Sequence, residues 1–167
     1  MNRSRPRNVC IRVVGYDARW RSDFARLNEA WLRKYFRIEP IDAEVLGDPE
    51  THIRAGGGEV LFALDGDEVV GTCALMHAGE GVYELTKMAV DESHQGQGIG
   101  RRLIEAAIEA FRARGGRELF LETNSLLRPA ISLYESVGFA HQPRVKPDSH
   151  YDRADVYMIW HATASGA

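Results

Sequence analysis

The chain has 167 residues, of which 44% are hydrophobic, and carries a net charge of −3 with an isoelectric point near 6.1. This is enough apolar material for one sizeable core, so we expect a single domain over residues 9–161. The slight acidity argues against a nucleic-acid partner, since a nucleic-acid-binding surface usually needs a basic excess. No apolar run approaches the length of a membrane span, and no signal-type hydrophobic core follows the first residues. We therefore expect a soluble, cytoplasmic protein without a membrane partner.

The N-terminal part of the chain is predicted to form a strand and a helix after a frayed tail of residues 1–8. The strand is Val9 to Val14. In the helix that follows, an apolar stripe recurs at helical spacing: Trp20, Phe24, Leu27, Trp31 and Tyr35. Pro40 is expected to close that helix, because the residue before a proline avoids the helical region. Asp42 then caps a short helix that runs to Leu46.

Three strands are predicted next, after a helix that begins at Asp48-Pro49 and ends in a glycine run. They cover residues 59–64, 69–77 and 83–90, with a hairpin turn at 65–67 and a glycine turn at 79–81. Two cysteines, Cys10 and Cys73, each lie in an apolar strand-like run. We expect two buried free thiols rather than a disulfide or a metal pair.

A glycine-rich turn, Gln95 to Gly100, follows the last of these strands and opens a helix. The helix has one apolar face, formed at helical spacing by Ile99, Leu103, Ala107, Ile108 and Phe111. Backbone N–H groups at such a helix start have no intrahelical partner and lie at the positive end of the macrodipole. They form an anion site, usually for phosphate. Arg101 and Arg102 oppose the macrodipole there, and a nearby anion would account for them.

Two common phosphate loops do not fit this turn. A dinucleotide-binding fingerprint needs a third glycine where Arg101 or Leu103 stands, depending on which glycine starts the count. A Walker A loop needs a lysine, and the turn has none. The alternative without a ligand is that the glycines only make a tight strand–helix turn.

The rest of the chain is predicted to add a strand at 119–123, a helix at 129–136, a strand after Gly138 and a last strand at 155–161. Residues 162–167 form a small-residue tail. This order predicts an α+β fold, a mixed sheet with helices on its two faces. Which strands are neighbours in the sheet cannot be decided from a pattern.

Three motifs resemble the GNAT N-acetyltransferase superfamily in order and spacing. Residues 95–100 match its Gln/Arg-x-x-Gly-x-Gly/Ala signature, residues 85–90 are similar to its fourth strand, and residues 130–139 resemble its second signature. The resemblance implies a GNAT-like α+β fold, with antiparallel first strands and a parallel pair splayed apart around the cofactor.

The resemblance also implies acetyl-CoA as cosubstrate. The amides of the glycine turn would bind its pyrophosphate, and the preceding strand would pair with its pantetheine arm. The implied cofactor-binding residues are Met88, Ala89, Val90, Gln95, Gly96, Gln97, Gly98, Ile99, Gly100, Arg101 and Asn124. Many relatives carry an asparagine where this chain has Leu127. Asn124 either takes that role or caps its turn, as asparagine commonly does.

The implied activity is transfer of an acetyl group from acetyl-CoA to a primary amine by direct attack in a ternary complex. Such a reaction needs a donor for the oxyanion and a base for the ammonium proton. The resemblance assigns the donor to the main chain at Met88 or its neighbour and the acid to Tyr134. Glu84 is the candidate base, on a strand face that alternation predicts it shares with Thr86, Met88 and Val90. The alternatives are that Glu84 is a solvated or salt-bridged strand residue, for example paired with Lys87, and that Tyr134 is a core residue.

The expected acceptor is a primary amine of a small molecule, amino acid or peptide, which the sequence does not identify. Tyr35, Phe36 and Arg37 are expected to help wall its pocket. Arg37, Arg144 or Arg153 would clamp a substrate carboxylate, or each is simply a solvated charge. We infer no metal site, and the sequence leaves the oligomeric state open, a homodimer included.

A non-catalytic acyl-CoA-binding sensor is the alternative from another functional class. A sensor would need only the loop, so the presence of both Glu84 and Tyr134 favours the enzyme. A nucleotide-binding regulator is disfavoured because the turn lacks both phosphate-loop fingerprints.

Overall fold

A seven-stranded mixed sheet organises the chain in the computed structural model, which describes residues 10–162. The strands are β1 (Ile11–Val14), β2 (Glu59–Asp65), β3 (Glu68–Gly79), β4 (Val82–Val90), β5 (Glu118–Thr123), β6 (Phe139–His141) and β7 (Val156–Trp160). Their order across the sheet is β1-β2-β3-β4-β5-β7-β6. The predicted mixed sheet is confirmed, and β7 takes a place between β5 and β6 that no sequence pattern showed.

Within residues 10–162, four α-helices accompany the sheet. They are α1 (Arg21–Tyr35), α2 (Pro40–Gly47), α3 (Ile99–Ala113) and α4 (Arg128–Val137), together with short helical turns at Ala18–Trp20, Glu50–Arg54 and Glu92–His94. Among the described residues, no helix is both long and apolar enough to cross a membrane.

Each face of the sheet carries its own buried cluster. On one face α3 buries Leu103, Ile104 and Ala107 in a cluster that includes alternate residues of β2, Leu61 and Ala63. On the other face α1 and α2 pack in a cluster that includes the intervening residues Val60, Phe62 and Leu64. Both faces of β2 are buried because helices cover both sides of the sheet. α3 and α1 therefore lie on opposite sides of the strands that border the candidate site.

Pro40 opens α2 and does not close α1, which corrects the prediction. α1 ends at Tyr35, where the N–H of Phe36 bonds to the carbonyl of Leu32 at 2.7 Å. Proline is favourable at the first helical position because its missing N–H has no partner there in any case. Glu39 is the N-cap of α2, and Asp42 is the third helical residue of a capping box, not the cap itself.

Two predictions about the N-terminal part need correction. Strand β1 begins at Ile11. The predicted strand residue Val9, the whole predicted tail 1–8 and residues 163–167 of the predicted tail 162–167 lie outside the described residues. Cys10 and Cys73 are both free thiols, as expected, but only Cys73 is buried, whereas Cys10 is exposed. Cys10 precedes the edge strand, where one flank of the backbone faces solvent.

The parallel pair β4 and β5 comes apart after three residues. The two strands pair from Val82 with Glu118 to Glu84 with Phe120, and then diverge. Beyond Glu84, the edge of β4 that faces β5 pairs with no strand in the described part of the chain. The splay expected from the family resemblance is therefore present, and it opens the sheet just before the glycine turn.

A bulge interrupts β4 within this open stretch. The register of β3 and β4 shifts by one residue, so that Lys87 and Met88 together face Cys73. Lys87 has a φ of +53°, in the left-handed region that non-glycine residues seldom adopt. Such a bulge inserts one residue and bends the strand that carries it.

The bulge also changes which face of the sheet the end of β4 presents. Met88 and Val90 pack with the α3 cluster, together with Leu85, the neighbour of Glu84. Since adjacent strand residues point to opposite faces, Glu84 lies on the other side of the sheet. The predicted shared face of Glu84, Thr86, Met88 and Val90 was therefore wrong, because the extra residue at the bulge reverses the alternation.

Replacement of Leu103 by alanine should test the core on the α3 face. Leu103 is fully buried, so we expect its loss to lower the free energy of unfolding by about 2–5 kcal/mol. Urea denaturation measures the change. Leu126→Ala is the matched control, because Leu126 is 80% exposed and the same truncation should cost less than about 0.5 kcal/mol. Equal losses in the two variants would contradict this description of the core.

Candidate active site

The glycine turn presents main-chain N–H groups at the start of α3. Gly98 caps the helix with a φ of +78°, and Gly96 has the same φ. The first helical hydrogen bond runs from the N–H of Arg102 to the carbonyl of Gly98 at 3.2 Å, so the N–H groups before it have no intrahelical partner. A Cβ at Gly96 or Gly98 would meet no atom within 4 Å. Backbone conformation, not lack of space, therefore calls for glycine at both positions.

Two contacts tie this turn to its neighbours. The side-chain amide of Gln95 donates to the carbonyl of Val90 at 3.5 Å, which holds the turn against the end of β4. A Cβ at Gly100 would lie 3.2 Å from a methyl group of Leu133, so α4 packs closely on the start of α3. The two signature segments, 95–100 and 130–139, therefore meet in the fold.

A groove of about 510 Å³ runs from this turn along the end of β4 and the start of α4. Eight of the predicted cofactor-binding residues line it: Met88, Ala89, Val90, Gln95, Gly96, Gly98, Ile99 and Gly100. Leu126 and Pro129 add an apolar rim from the other side. A groove with N–H donors at one end and apolar walls along its length suits an anionic group attached to a long, mainly neutral arm.

The other three predicted cofactor-binding residues lie outside the groove. Gln97 is exposed, and the guanidinium of Arg101 donates to the hydroxyl of Ser136 at 2.7 Å. The amide of Asn124 donates to the carbonyl of Arg153 at 2.7 Å and accepts from the N–H of Leu126 at 2.9 Å. The nitrogen and the oxygen of the Asn124 amide thus both bond to main-chain groups. This is the geometry expected if Asn124 caps its turn.

A smaller cleft of about 120 Å³ adjoins the groove where β4 and β5 diverge. Trp31, Met88, Leu127 and Ala130 border both spaces, so the groove leads into the cleft. Of the aromatic residues expected at an acceptor pocket, Phe36 lines the cleft and Tyr35 lines the groove, together with Trp31.

Tyr134 lines this cleft from α4. Its ring packs edge-on against Phe139, with the ring centroids 6.0 Å apart. Burial raises the pKa of Tyr134 above its ordinary value, and the neighbouring Cys73 adds to the effect. The phenol is protonated at neutral pH and can donate a hydrogen bond in the cleft, and the raised pKa makes it a weaker acid than an exposed tyrosine.

Glu84 is buried on β4 at the last residue pair before the strands diverge. Burial, aided by the negative charge of Glu122, raises the pKa of Glu84 to about 7. The predicted alternative, an ion pair with Lys87, is not formed in the described part of the chain, because the Lys87 ammonium binds Asp42 at 2.7 Å. A carboxyl group with a pKa near 7 is suited to accept and release protons at neutral pH.

Asp42 is the residue at the site that the sequence did not reveal. It is fully buried and binds both Lys87 and Arg153. Burial alone would raise the pKa of Asp42, but hydrogen bonds from Arg153 and Lys87 lower it to about 2. Its partners are 45 and 111 residues away along the chain, so no local pattern could have paired them.

This cluster changes the interpretation of the arginines. The guanidinium of Arg153 binds Glu39 at 2.7 Å and Asp42 at 2.8 Å, so it is not available to clamp a substrate carboxylate. Arg37 lies 3.6 Å from Asp152 in an exposed ion pair. Arg144 is exposed. The predicted clamp at Arg153 is therefore wrong, because two protein carboxylates already occupy it.

The sequence and the fold both match known proteins. The family described as "Acetyltransferase (GNAT) family" matches residues 17–139. Among curated proteins, a mycothiol acetyltransferase from Nocardioides sp. is 29% identical over 151 residues, which cover 81% of this chain and 51% of that protein. The chain spans 28% to 59% of the length of the curated relatives it matches.

Solved structures show the same fold. An acetyltransferase of the GNAT family from Staphylococcus aureus superposes with a TM-score of 0.82 at 19% identity, covering 90% of this chain and 98% of that one. The Salmonella typhimurium protein yncA, solved with its cofactor acetyl-CoA, superposes with a TM-score of 0.71 at 21% identity, covering 95% and 97%. At these identities the likeness establishes the fold.

Replacement of Glu84 by glutamine should reveal the raised pKa as a pH-dependent stability. The protonated carboxyl stabilises the folded chain at pH values below the ordinary pKa of 4.5, and this contribution is lost as the pH rises through about 7. Between these limits the stability of the wild type should fall relative to Glu84→Gln by on the order of 3 kcal/mol. Urea denaturation across the pH range measures the difference.

Glu109→Gln removes an exposed carboxylate from α3 and controls for the loss of one charge. A stability difference between wild type and Glu84→Gln that stays constant from pH 4.5 to pH 8 would refute the burial argument.

Proposed function

We propose that this chain, which belongs to the GNAT acetyltransferase family, transfers an acetyl group from acetyl-CoA to a primary amine. The observation that carries the proposal is the edge of β4 beyond Glu84, which pairs with no strand within residues 10–162 and leads directly into the glycine turn. The main-chain N–H and C=O groups on the open edge of β4 and the N–H groups at the start of α3 would thus follow one another along a single groove. This arrangement matches the pantetheine and pyrophosphate parts of coenzyme A.

The glycine turn would bind the pyrophosphate through its main-chain N–H groups, aided by the positive end of the α3 dipole. Ala89 and Val90 line the groove beside the turn, and Met88 borders both groove and cleft. The thioester would then lie near Met88, at the entrance to the cleft. Asn124 serves this site indirectly in our proposal, since its amide caps the turn that leads to α4.

The acceptor amine would enter the cleft and attack the thioester carbonyl as the neutral amine. A main-chain N–H at the bulge, at Met88 or its neighbour, would stabilise the oxyanion that forms. The nitrogen would give up its extra proton to Glu84, directly or through water. When the carbon–sulfur bond breaks, the coenzyme A thiolate would take a proton from Tyr134.

The cysteines favour direct attack over an acetyl-cysteine intermediate. Cys73, which lies on β3 opposite the β4 bulge, is fully buried, and burial raises its pKa to about 12. Its thiol contacts the carbonyl of Leu103 at 3.7 Å. A thiol of this kind supplies almost no thiolate at neutral pH and is a poor nucleophile. A ternary complex of chain, acetyl-CoA and amine is therefore the proposed route.

The acceptor is proposed to be a small-molecule or peptide amine. Aromatic rings from three segments, Phe36, Tyr134 and Tyr151, surround the cleft. With Arg153 bound to Glu39 and Asp42, the cleft offers no free guanidinium from that position to hold an α-carboxylate. We also propose a cytoplasmic location, because the free thiols Cys10 and Cys73 suit a reducing compartment.

Titration calorimetry with acetyl-CoA tests the first step, and release of free thiol in the presence of a pooled amine library tests the second. We expect binding of acetyl-CoA and amine-dependent thiol release. Binding without release across a broad library would favour an acyl-CoA sensor. Absence of any heat with acetyl-CoA and related acyl-CoA compounds would reject both functions.

Replacement of Tyr134 by phenylalanine should slow turnover at least about tenfold, equivalent to about 1.4 kcal/mol in the barrier. Only the hydroxyl is lost, so the affinity for acetyl-CoA should change little. Steady-state thiol release gives kcat, and calorimetry gives the affinity. Tyr16→Phe is the matched control, because the Tyr16 hydroxyl binds Glu50, away from the cleft. An unchanged kcat in Tyr134→Phe would remove the acid role.

A further inference from the structure

A cluster of two acids and two bases, of which only Arg153 is partly exposed, includes Lys87 of the β4 bulge. At its centre, Asp42 accepts four hydrogen bonds, two on each carboxylate oxygen. Oδ1 accepts from Lys87 Nζ at 2.7 Å and from Arg153 Nη2 at 3.0 Å. Oδ2 accepts from Arg153 Nη1 at 2.8 Å and from the N–H of Glu39 at 3.0 Å. The carboxylate is fully buried and its hydrogen-bonding capacity is used up.

The cluster joins the start of α2, the bulge of β4 and the segment that precedes β7. Glu39 binds the Arg153 guanidinium at 2.7 Å and the N–H of Asp152 at 3.1 Å. The ring of Tyr151 lies between the two bases, 4.7 Å from the Lys87 ammonium and 4.8 Å from the Arg153 guanidinium. Three segments that are distant in sequence are therefore held together on one side of the cleft.

The charges of this cluster balance. Glu39 and Asp42 oppose Lys87 and Arg153, and the four side chains bind one another. A neutral cluster with a saturated central carboxylate is poorly suited to bind a ligand of its own. Its contribution must therefore come through the groups that it holds in place.

The member of the cluster that carries the bulge is Lys87. Its side chain is 3% exposed and ends on Asp42, while its backbone has a φ of +53°. A left-handed conformation is unfavourable for a residue with a Cβ and persists only when its surroundings maintain it. The bond to Asp42 supplies that constraint, because it ties the end of the Lys87 side chain to a different layer of the fold. The next residue along the chain is Met88, which borders both groove and cleft.

We propose that Asp42 is a positioning residue, which anchors Lys87 and thereby holds the bulge so that a main-chain N–H at Met88 faces the thioester carbonyl. This inference rests on the proposed function for the purpose of that N–H. Asp42 touches neither substrate in this arrangement. It acts through Lys87 on the backbone of β4, and through Arg153 on the wall that carries Tyr151.

Replacement of Asp42 by asparagine tests the proposal, since it keeps the size of the side chain and removes its charge. The asparagine NH₂ group would replace either Oδ1, which accepts from Lys87 and Arg153, or Oδ2, which accepts from Arg153 and the N–H of Glu39. All of these groups are donors, so two hydrogen bonds are lost in either orientation. Hydrogen exchange followed by mass spectrometry should show faster exchange in residues 85–90. Exchange in residues 95–100, at the glycine turn, should stay as in the wild type.

Kinetics separate positioning from a purely structural role. In Asp42→Asn we expect kcat to fall at least about tenfold, while the affinity for acetyl-CoA, set mainly at the glycine turn, stays within about threefold. Glu59→Gln is the matched control. It removes a partly buried carboxylate that lies 3.7 Å from Arg114 and 3.8 Å from Arg54, in a network on another part of the fold. This variant should leave both kcat and the exchange of residues 85–90 unchanged.

A double variant, Asp42→Asn with Lys87→Met, keeps the test decisive if the single variant folds poorly. It removes the Lys87 ammonium, which would be buried without a carboxylate partner in Asp42→Asn. The melting temperature of the double variant should therefore lie above that of Asp42→Asn. The anchor is still missing, so exchange at residues 85–90 should stay fast and kcat should stay low. Recovery of kcat together with the melting temperature would show that Asp42 serves stability alone and would overturn the proposal.

The two readouts also separate this inference from the proposed function. If the wild type shows no amine-dependent thiol release, the proposed function fails, while hydrogen exchange still reports whether Asp42 holds the bulge. If exchange at residues 85–90 is unchanged in Asp42→Asn, the positioning role is overturned even in an active enzyme. Faster exchange with unchanged kcat overturns it as well.

Discussion

The early end of the pairing between β4 and β5 is the constraint on which the rest of this structure depends. Three residue pairs hold the two strands together, and the last of them contains Glu84. Beyond that pair β5 is bonded to β7 on its far side, so its near edge and that of β4 remain open to the cleft between them. Had the pairing continued, β5 would occupy the cleft that Tyr134 borders. The glycine turn would then follow a strand whose edge was already hydrogen-bonded.

Burial acts on the two candidate proton-transfer groups in complementary ways. For both, removal from water disfavours the charged form and raises the pKa. For Glu84 the result is a value of about 7, at which a carboxyl group can both take up and release a proton. For Tyr134, whose phenol is protonated at neutral pH in any case, the same effect raises the pKa and makes the group a weaker acid. The same burial therefore brings the pKa of Glu84 towards neutral pH and moves that of Tyr134 further from it, because the two groups start from very different intrinsic values.

Whether a charged side chain at the site can bind a substrate depends on its ion-pair partners as well as on its residue type. The basic residues nearest the bulge, Lys87 and Arg153, are both bound by buried acids. A buried cluster of this kind gives little net stability in general, since desolvation offsets much of the attraction. It does impose geometry, because removing any member strands a charge in the interior. In this fold the geometry imposed is that of the β4 backbone beside the cleft.

The sequence alone determined the features that depend on neighbours along the chain. The glycine turn, the apolar face of α3, the hairpin at 65–67 and the helix after Leu127 follow from local spacing and backbone preference. Local pattern also led to two errors. Pro40 was expected to end a helix but begins one, since a proline is compatible with either position. At Lys87, one extra residue reverses the alternation of side chains between the two faces of the sheet. Only the tertiary structure decided the place of β7 between β5 and β6, the burial that raises the pKa of Glu84, and the ion pairs of Arg153 with Glu39 and Asp42. These depend on contacts between residues far apart in sequence, and such contacts arise only when the sheet has brought them together.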